Sequence, residues 1–282
     1  MRRWLLCFVL VGSLIAAACD GSTSPASPIA PSPPTPPQGN FALQGDPESA
    51  QGASFTYRGT VDGVAYDLQG ILLKPRGPGA FPAVVISHGA GGNAAGYSRS
   101  IAVEMVQWGL VAIATNYTHA GGVPLGTPGA VDQPGASQSN VLRARAMLDV
   151  LQSLGYVDMN RVAAHGHSMG AFVTAAVVGA YPAAFRAASH TAGGVRPGII
   201  GGELAAPVES QVRGVRAAYQ LHHGDADFVV PLALDQLFAA ILRSGGVTSE
   251  LHVYADAEHN DLARNAIVLG RVRSWYAAHG MF

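Results

Sequence analysis

Few residues in this chain have the type and spacing to do chemistry, and the clearest group is Gly166-His167-Ser168-Met169-Gly170. It sets a hydroxyl between two glycines where an apolar stretch, Arg161 to His165, gives way to an alanine-rich one. A G-x-S-x-G spacing with a strand before it and a helix after it suits a very sharp turn. Side chains flanking such a turn would collide with neighbouring backbone, and glycine removes the collision. A helix starting there would also bring the Met169 N–H and a positive dipole beside the serine. The motif alone is a weak signal in a chain with 35 glycines. A solvated serine in a glycine turn would be written with the same letters.

A serine hydroxyl attacks only when a base takes its proton, and the base needs a third group to hold its tautomer. "HHGDADFVVP" offers Asp225 and Asp227 just past one apolar stretch, and "YADAEHNDLARN" offers His259 just past the next. The order serine, acid, histidine is the one used on α/β sheets of this kind. Asp227 lies deeper in its loop and suits an anchored carboxylate, whereas Asp225 reads as a turn cap. Acyl transfer further needs N–H donors for an oxyanion. The glycine-rich "SHGAGGNAAG" supplies them at another strand end, with the Ala90 N–H first and Gly89 or Gly91 as neighbouring alternatives, alongside the Met169 N–H. His88 is expected to fix this loop, His165 and His167 to frame the serine, and His222 and His223 to serve a turn. No histidine pair has metal-ligand spacing with carboxylate support, and no phosphate or dinucleotide loop follows a first strand, so neither metal nor cofactor is expected.

These residues need elements to position them. Ser54–Val61 and Val64–Pro75 are β-rich around an Asp62-Gly63 turn, which predicts a hairpin. "FPAVVISHG" and "LVAIATNY" are short apolar runs of the kind found in strands buried on both faces. Ser98–Gly109 and the stretch from Ser137 to Gly155 have helical spacing, with Val141, Ala144, Leu148 and Leu151 on one face of the latter. A strand over 161–165, a helix from Ser168, strands in "AASHTAG" and "AAYQLHHG", a helix over 232–244, the strand "SELHVYA" and a helix to about His279 follow. Alternation of this kind predicts an α/β fold: a mostly parallel central sheet of about eight strands with helices on both faces. Ligands gather at the carboxyl ends of such strands, where all the chemical residues fall. The glycine- and proline-rich stretches Thr118–Ser137 and Gly193–Val215 are expected to shape the pocket.

The first 19 residues read as an export signal, with Arg2 and Arg3 before an apolar run that ends in small residues. "LIAAAC" resembles the lipobox of bacterial lipoproteins, which implies lipidation of Cys19 and attachment to a membrane. Seven of the thirteen residues from Pro25 to Pro37 are proline, so 20–40 reads as an extended linker. Residues 41–282 then form one domain. Cys7 and Cys19 are the only cysteines, leaving the domain without a thiol for a disulfide or a nucleophile. Of 17 basic residues two lie in the signal, leaving 15 against 18 acidic ones, with no basic run, so nucleic acid is not an expected partner. A monomeric cell-envelope lipoprotein, or otherwise a secreted or periplasmic protein, is the expected state.

Taken together, "FPAVVISHGAGG", "DMNRVAAHGHSMGA", "HHGDADFVVP" and "AEHND" resemble the α/β-hydrolase superfamily. They look closest to its dienelactone hydrolase-like branch, and are similar as well to bacterial cutinase-type polyester hydrolases and prolyl-oligopeptidase catalytic domains. The resemblance runs from about Ser54 to the C-terminus and implies Ser168 as nucleophile, Asp227 as acid and His259 as base. It departs from dienelactone hydrolases proper, whose nucleophile is cysteine, and from polyester hydrolases with a tryptophan beside the site and a C-terminal disulfide. The expected activity is hydrolysis of a small or polymeric carboxylic ester through an acyl-enzyme. An amidase or peptidase on the same triad, or a non-catalytic cell-envelope binding protein, are the alternatives.

Overall fold

A computed structural model describes residues 39–122, 134–197 and 205–282. The expected export segment with Cys19, most of the expected linker, and the central parts of both expected pocket loops (123–133 and 198–204) lie outside the described residues. Nine strands form one sheet: β1 (Gly39–Gln44), β2 (Ala53–Val61), β3 (Val64–Leu73), β4 (Phe81–Ser87), β5 (Val111–Thr115), β6 (Val157–His167), β7 (Ala187–Thr191), β8 (Ala218–Gly224) and β9 (Ser249–Tyr254). The helices are α1 (Arg99–Gln107), α2 (Gln138–Ser153), α3 (Met169–Ala180), the short α4 (Glu209–Val212), α5 (Leu232–Ser244) and α6 (Ala266–Ala278).

The spatial order is β1-β2-β3-β5-β4-β6-β7-β8-β9. β1, β2 and β3 pair antiparallel with one another and β3 with β5, and every later pairing is parallel. The hairpin forms around Asp62-Gly63, where both residues have positive φ (47° and 81°) and Val61 pairs with Val64. That is the two-residue turn whose twist matches the strands on either side.

The parallel strands β4 and β5 are apolar on both sides because two helical layers cover them. Ala83 and Val85 of β4 and Val111 and Ile113 of β5 join the core under α2, α3 and α5. Their neighbours Val84, Ile86, Ala112 and Ala114 join a second core under α1 and α6. A period of two thus feeds two cores from one strand.

β1 is one strand more than the sequence suggested, and it takes in the last two residues of the expected linker. It sits at the sheet edge, exposed except for Phe41, whose ring lies 5.5 Å from that of Phe55. An edge strand held by backbone pairing to β2 needs no buried face, so "GNFALQ" shows little apolar pattern. α4 is a single turn and equally patternless. Chain order leaves β4 for β5 on one side and β6 on the other, so the loops after β4 and β6 open a crevice between them.

Candidate active site

Ser168 stands in that crevice, between the end of β6 and the first turn of α3. Its backbone lies at φ 55° and ψ −123°, a region that a residue with a Cβ occupies only under strain. The Ser168 N–H donates to the Thr191 carbonyl at 3.0 Å, and its carbonyl accepts from Ala171 at 2.8 Å. The flanking glycines are required by contact. A Cβ on Gly166 would lie 2.3 Å from the Gly170 carbonyl oxygen, and one on Gly170 would lie 2.2 Å from that of Ser87. β6, α3 and β4 therefore meet at backbone distance only because these two positions carry no side chain.

His259 reaches the serine from the loop after β9, with Nε2 2.9 Å from Ser168 Oγ. Its Nδ1 lies 2.8 Å from Asp227 Oδ2 in the loop after β8. Asp227 Oδ1 accepts the N–H groups of Val229 (2.9 Å) and Val230 (2.8 Å), which leaves Oδ2 for the histidine. Burial raises the Asp227 pKa, but the His259 hydrogen bond and the two amides outweigh it and hold the carboxyl below its usual range. The two loops lie against each other. The Ala226 N–H donates to the Ala257 carbonyl, and a Cβ on Gly224 would lie 2.0 Å from that carbonyl oxygen. Asp225 takes no part in the chain to the serine: its Oδ1 accepts the Asp256 N–H at 2.7 Å and ties the acid loop to the histidine loop.

The glycine-rich loop after β4 faces the serine, and a Cβ on Gly89 would lie 3.1 Å from that of Ser168. The Gly91 N–H donates to the His119 carbonyl at 3.0 Å and is therefore taken. Among the described residues the Ala90 N–H has no acceptor, and the Met169 N–H opens α3, ahead of the helix's own hydrogen-bond ladder. His88 donates from Nδ1 to the Gly89 carbonyl (2.9 Å) and accepts the Tyr117 N–H at Nε2 (3.1 Å), so a neutral ring satisfies both. Burial pulls its pKa down to about 4. His119, which the sequence did not single out, donates to the His88 carbonyl at 2.9 Å. Its place directly after β5 was the available clue.

The remaining histidines sort by contact. His167 lines the cleft, accepts from the Thr191 hydroxyl at Nδ1 (2.9 Å) and donates from Nε2 to Asn260 (3.3 Å), beside His259. His165 is buried against Ser189 at 2.8 Å. His222 and His223, expected to serve a turn, are instead buried inside β8 and bonded to side chains of other elements. The turn follows β8 at Asp225-Ala226, where the Asp227 N–H donates to the Gly224 carbonyl at 3.4 Å. Among the described residues no group of three or more potential ligands could hold a metal ion.

A cleft of about 1140 Å³ opens over Ser168 and His259. Phe172, Val229, Val230 and Leu234 give it an apolar side, and Pro134, Arg196 and Ala205 line it from the described flanks of the two expected pocket loops.

Sheet order, crevice and site define the α/β-hydrolase fold. A model of the dienelactone hydrolase family matches residues 68–277, and the chain belongs to that family. No curated protein matches the chain by sequence. Among solved structures, esterase 2 of Thermogutta terrifontis is 18% identical, with a TM-score of 0.60, over 89% of this chain and 98% of that one. A cold-adapted esterase from an Arctic intertidal metagenomic library is 18% identical, with a TM-score of 0.62, over 80% of this chain and 93% of that one. Dipeptidyl peptidase 4 of Porphyromonas gingivalis is 15% identical, with a TM-score of 0.63, over 86% of this chain. The chain spans only about a third of that peptidase's length, 35%. At these identities the likeness is one of fold.

Proposed function

We propose that this protein hydrolyses carboxylic esters through an acyl-enzyme on Ser168. The observation that carries the reading is the unbroken hydrogen-bonded chain from Asp227 through His259 to Ser168, opening onto an apolar cleft. His259 Nε2 takes the hydroxyl proton as Oγ attacks the ester carbonyl, and Asp227 holds the Nδ1–H and stabilises the imidazolium. The Ala90 and Met169 N–H groups receive the oxyanion, and the dipole of α3 adds to them. His259 returns the proton to the leaving alcohol, then activates water to release the acid. The apolar side of the cleft suits an uncharged acyl chain, including one that is part of a polymer. No step calls on a metal or a cofactor.

Ser168→Ala is expected to lower kcat on aryl esters by about 10⁴- to 10⁶-fold and to abolish labelling by a fluorophosphonate. Near-normal turnover by that variant would overturn the mechanism. A panel of aryl esters, a polyester and a peptide amide separates the esterase from an amidase or peptidase on the same triad. A wild-type protein that neither turns over nor labels would be a binding protein.

The export signal supports a second part of the reading: Cys19 carries a lipid, and the proline-rich segment holds a monomeric domain off the membrane surface. No helix among the described residues is long and apolar enough to cross a membrane. Incorporation of a fatty-acid analogue in cells, lost in Cys19→Ser, is the expected result, and an unlabelled wild-type chain would refute the anchor.

A further inference from the structure

Behind the acid loop lies a buried cluster that the mechanism above does not use. His223 at the end of β8 and Asp235 in the first turn of α5 are both fully buried. His223 Nδ1 lies 2.7 Å from Asp235 Oδ2, and its Nε2 lies 2.8 Å from the Val230 carbonyl oxygen and 3.5 Å from Asp227 Oδ2. Asp235 Oδ1 is held at 2.7 Å by Nε2 of His190 on β7.

A carbonyl oxygen only accepts, so His223 Nε2 must carry a hydrogen. The Nδ1–Asp235 contact needs a second proton, on the imidazole or on the carboxyl. His190 is satisfied with one ring hydrogen, on Nε2, because its Nδ1 faces the Tyr219 hydroxyl at 3.0 Å, and that hydroxyl can donate. Asp235 Oδ1 thus already accepts a hydrogen bond that favours the carboxylate, and imidazole is the stronger base of the two.

We propose that His223 is a buried imidazolium, with Asp235 as its counter-ion, that positions the acid loop of the hydrolase. The proposal rests on the triad reading above. Val230 is the hinge of the arrangement, since its carbonyl is held by His223 and its N–H by Asp227 Oδ1. Holding the two peptides that flank Val230 fixes where the Asp227 carboxylate points. The positive ring also faces Asp227 Oδ2, the oxygen that holds His259, and so tempers the pull of Asp227 on the His259 proton. Burial works against the charge on His223, but the Asp235 hydrogen bond and charge, the Val230 carbonyl and Asp227 together raise its pKa. His223 is a positioning residue, because it touches no reacting atom.

Two measurements on the full-length chain test this. With ring-¹⁵N-labelled histidine at about pH 8, well above the ordinary imidazole value, both His223 nitrogens are expected to be protonated. The signals are assigned by their loss in His223→Gln. One unprotonated ring nitrogen at His223 would overturn the proposal, whatever the protein's activity. In the second measurement, removing the cation should raise the affinity of His259 for a proton. The acidic limb of the kcat/KM profile is therefore expected to move up by roughly half a pH unit in His223→Gln. The double variant His223→Gln/Asp235→Asn leaves no unpaired buried charge, and it should keep a smaller shift in the same direction even if the single variant folds poorly. An unmoved limb in both variants would refute the positioning role. Absence of wild-type turnover and fluorophosphonate labelling would refute the triad reading instead, leaving the ring-nitrogen result to stand on its own.

Discussion

Ser168 carries strain along with its proposed chemistry. Its positive φ is imposed by the turn between β6 and α3, and any residue with a Cβ placed there inherits it. Glycine does not. Ser168→Gly is therefore expected to be more stable than Ser168→Ala by about 1 kcal/mol, although both remove the hydroxyl. Urea unfolding of the two variants measures the difference, and an alanine variant equal to or more stable than the glycine one would show that the turn relaxes. At this scale the sequence was legible where a residue type has few uses. A serine between two glycines, an aspartate in the loop after one strand and a histidine in the loop after the next could be paired on paper, and the structure brings Ser168, Asp227 and His259 within hydrogen-bond distance. His223 and Asp235 could not be paired in that way. They lie twelve positions apart on different elements, and a buried histidine in "HHG" is written like one in a turn. Only the packing of α5 against β8 shows that they meet.

The loop after β4 is an element whose shape depends on side chains some thirty residues downstream. His88 bonds the Gly89 carbonyl on one side and the Tyr117 N–H on the other, and His119 returns from the end of β5 to the His88 carbonyl and, through its own carbonyl, to Gly91. The loop that carries the Ala90 N–H, the proposed oxyanion donor, is thus held by two histidines that do not line the cleft. His88→Ala frees the loop and strands the buried Tyr117 N–H. It is expected to lower kcat by about 10- to 100-fold, with a smaller change in KM, because an oxyanion donor acts in the transition state. Steady-state kinetics on an aryl ester checks this, and a change confined to KM would place the loop in substrate binding instead. The element order showed in the sequence for a related reason: strands buried on both faces must be continuous apolar runs, and helices between them must be amphipathic or alanine-rich. β1 and α4 escaped because neither buries a face that would leave a pattern. The first is held by backbone pairing and the second is a single turn.

Across the whole molecule, the number of buried histidines sets an acid limit on stability. Burial is the leading cause that pulls His88, His119 and His167 down to about 4 and His165 to about 3, and it holds His222 well below the usual imidazole value. His165 shows the reason most directly, since its Nε2 has no partner among the described residues and a proton there would be a charge without an acceptor. Each of these rings binds a proton near pH 6.5 once unfolded but resists it until well below that when folded, His88, His119 and His167 down to about 4. Between those values the unfolded chain holds more protons, so stability falls as the pH drops. Asp235, lowered by its two histidines against the cost of burial, adds stability that is present above the ordinary carboxylate range and is lost below it. His223 has the opposite sign, because its raised pKa favours the folded state below about pH 6.5 and the benefit fades as the pH rises through the folded value. One ring of that kind stands against five, so acid destabilisation dominates. The unfolding free energy is expected to fall between about pH 6.5 and 4.5, with a slope equivalent to uptake of two or more protons, or at least roughly 2.7 kcal/mol per pH unit. Urea titrations at half-unit intervals measure that slope directly. A flat profile across the window would mean that these rings are already charged, or already wet, in the folded protein.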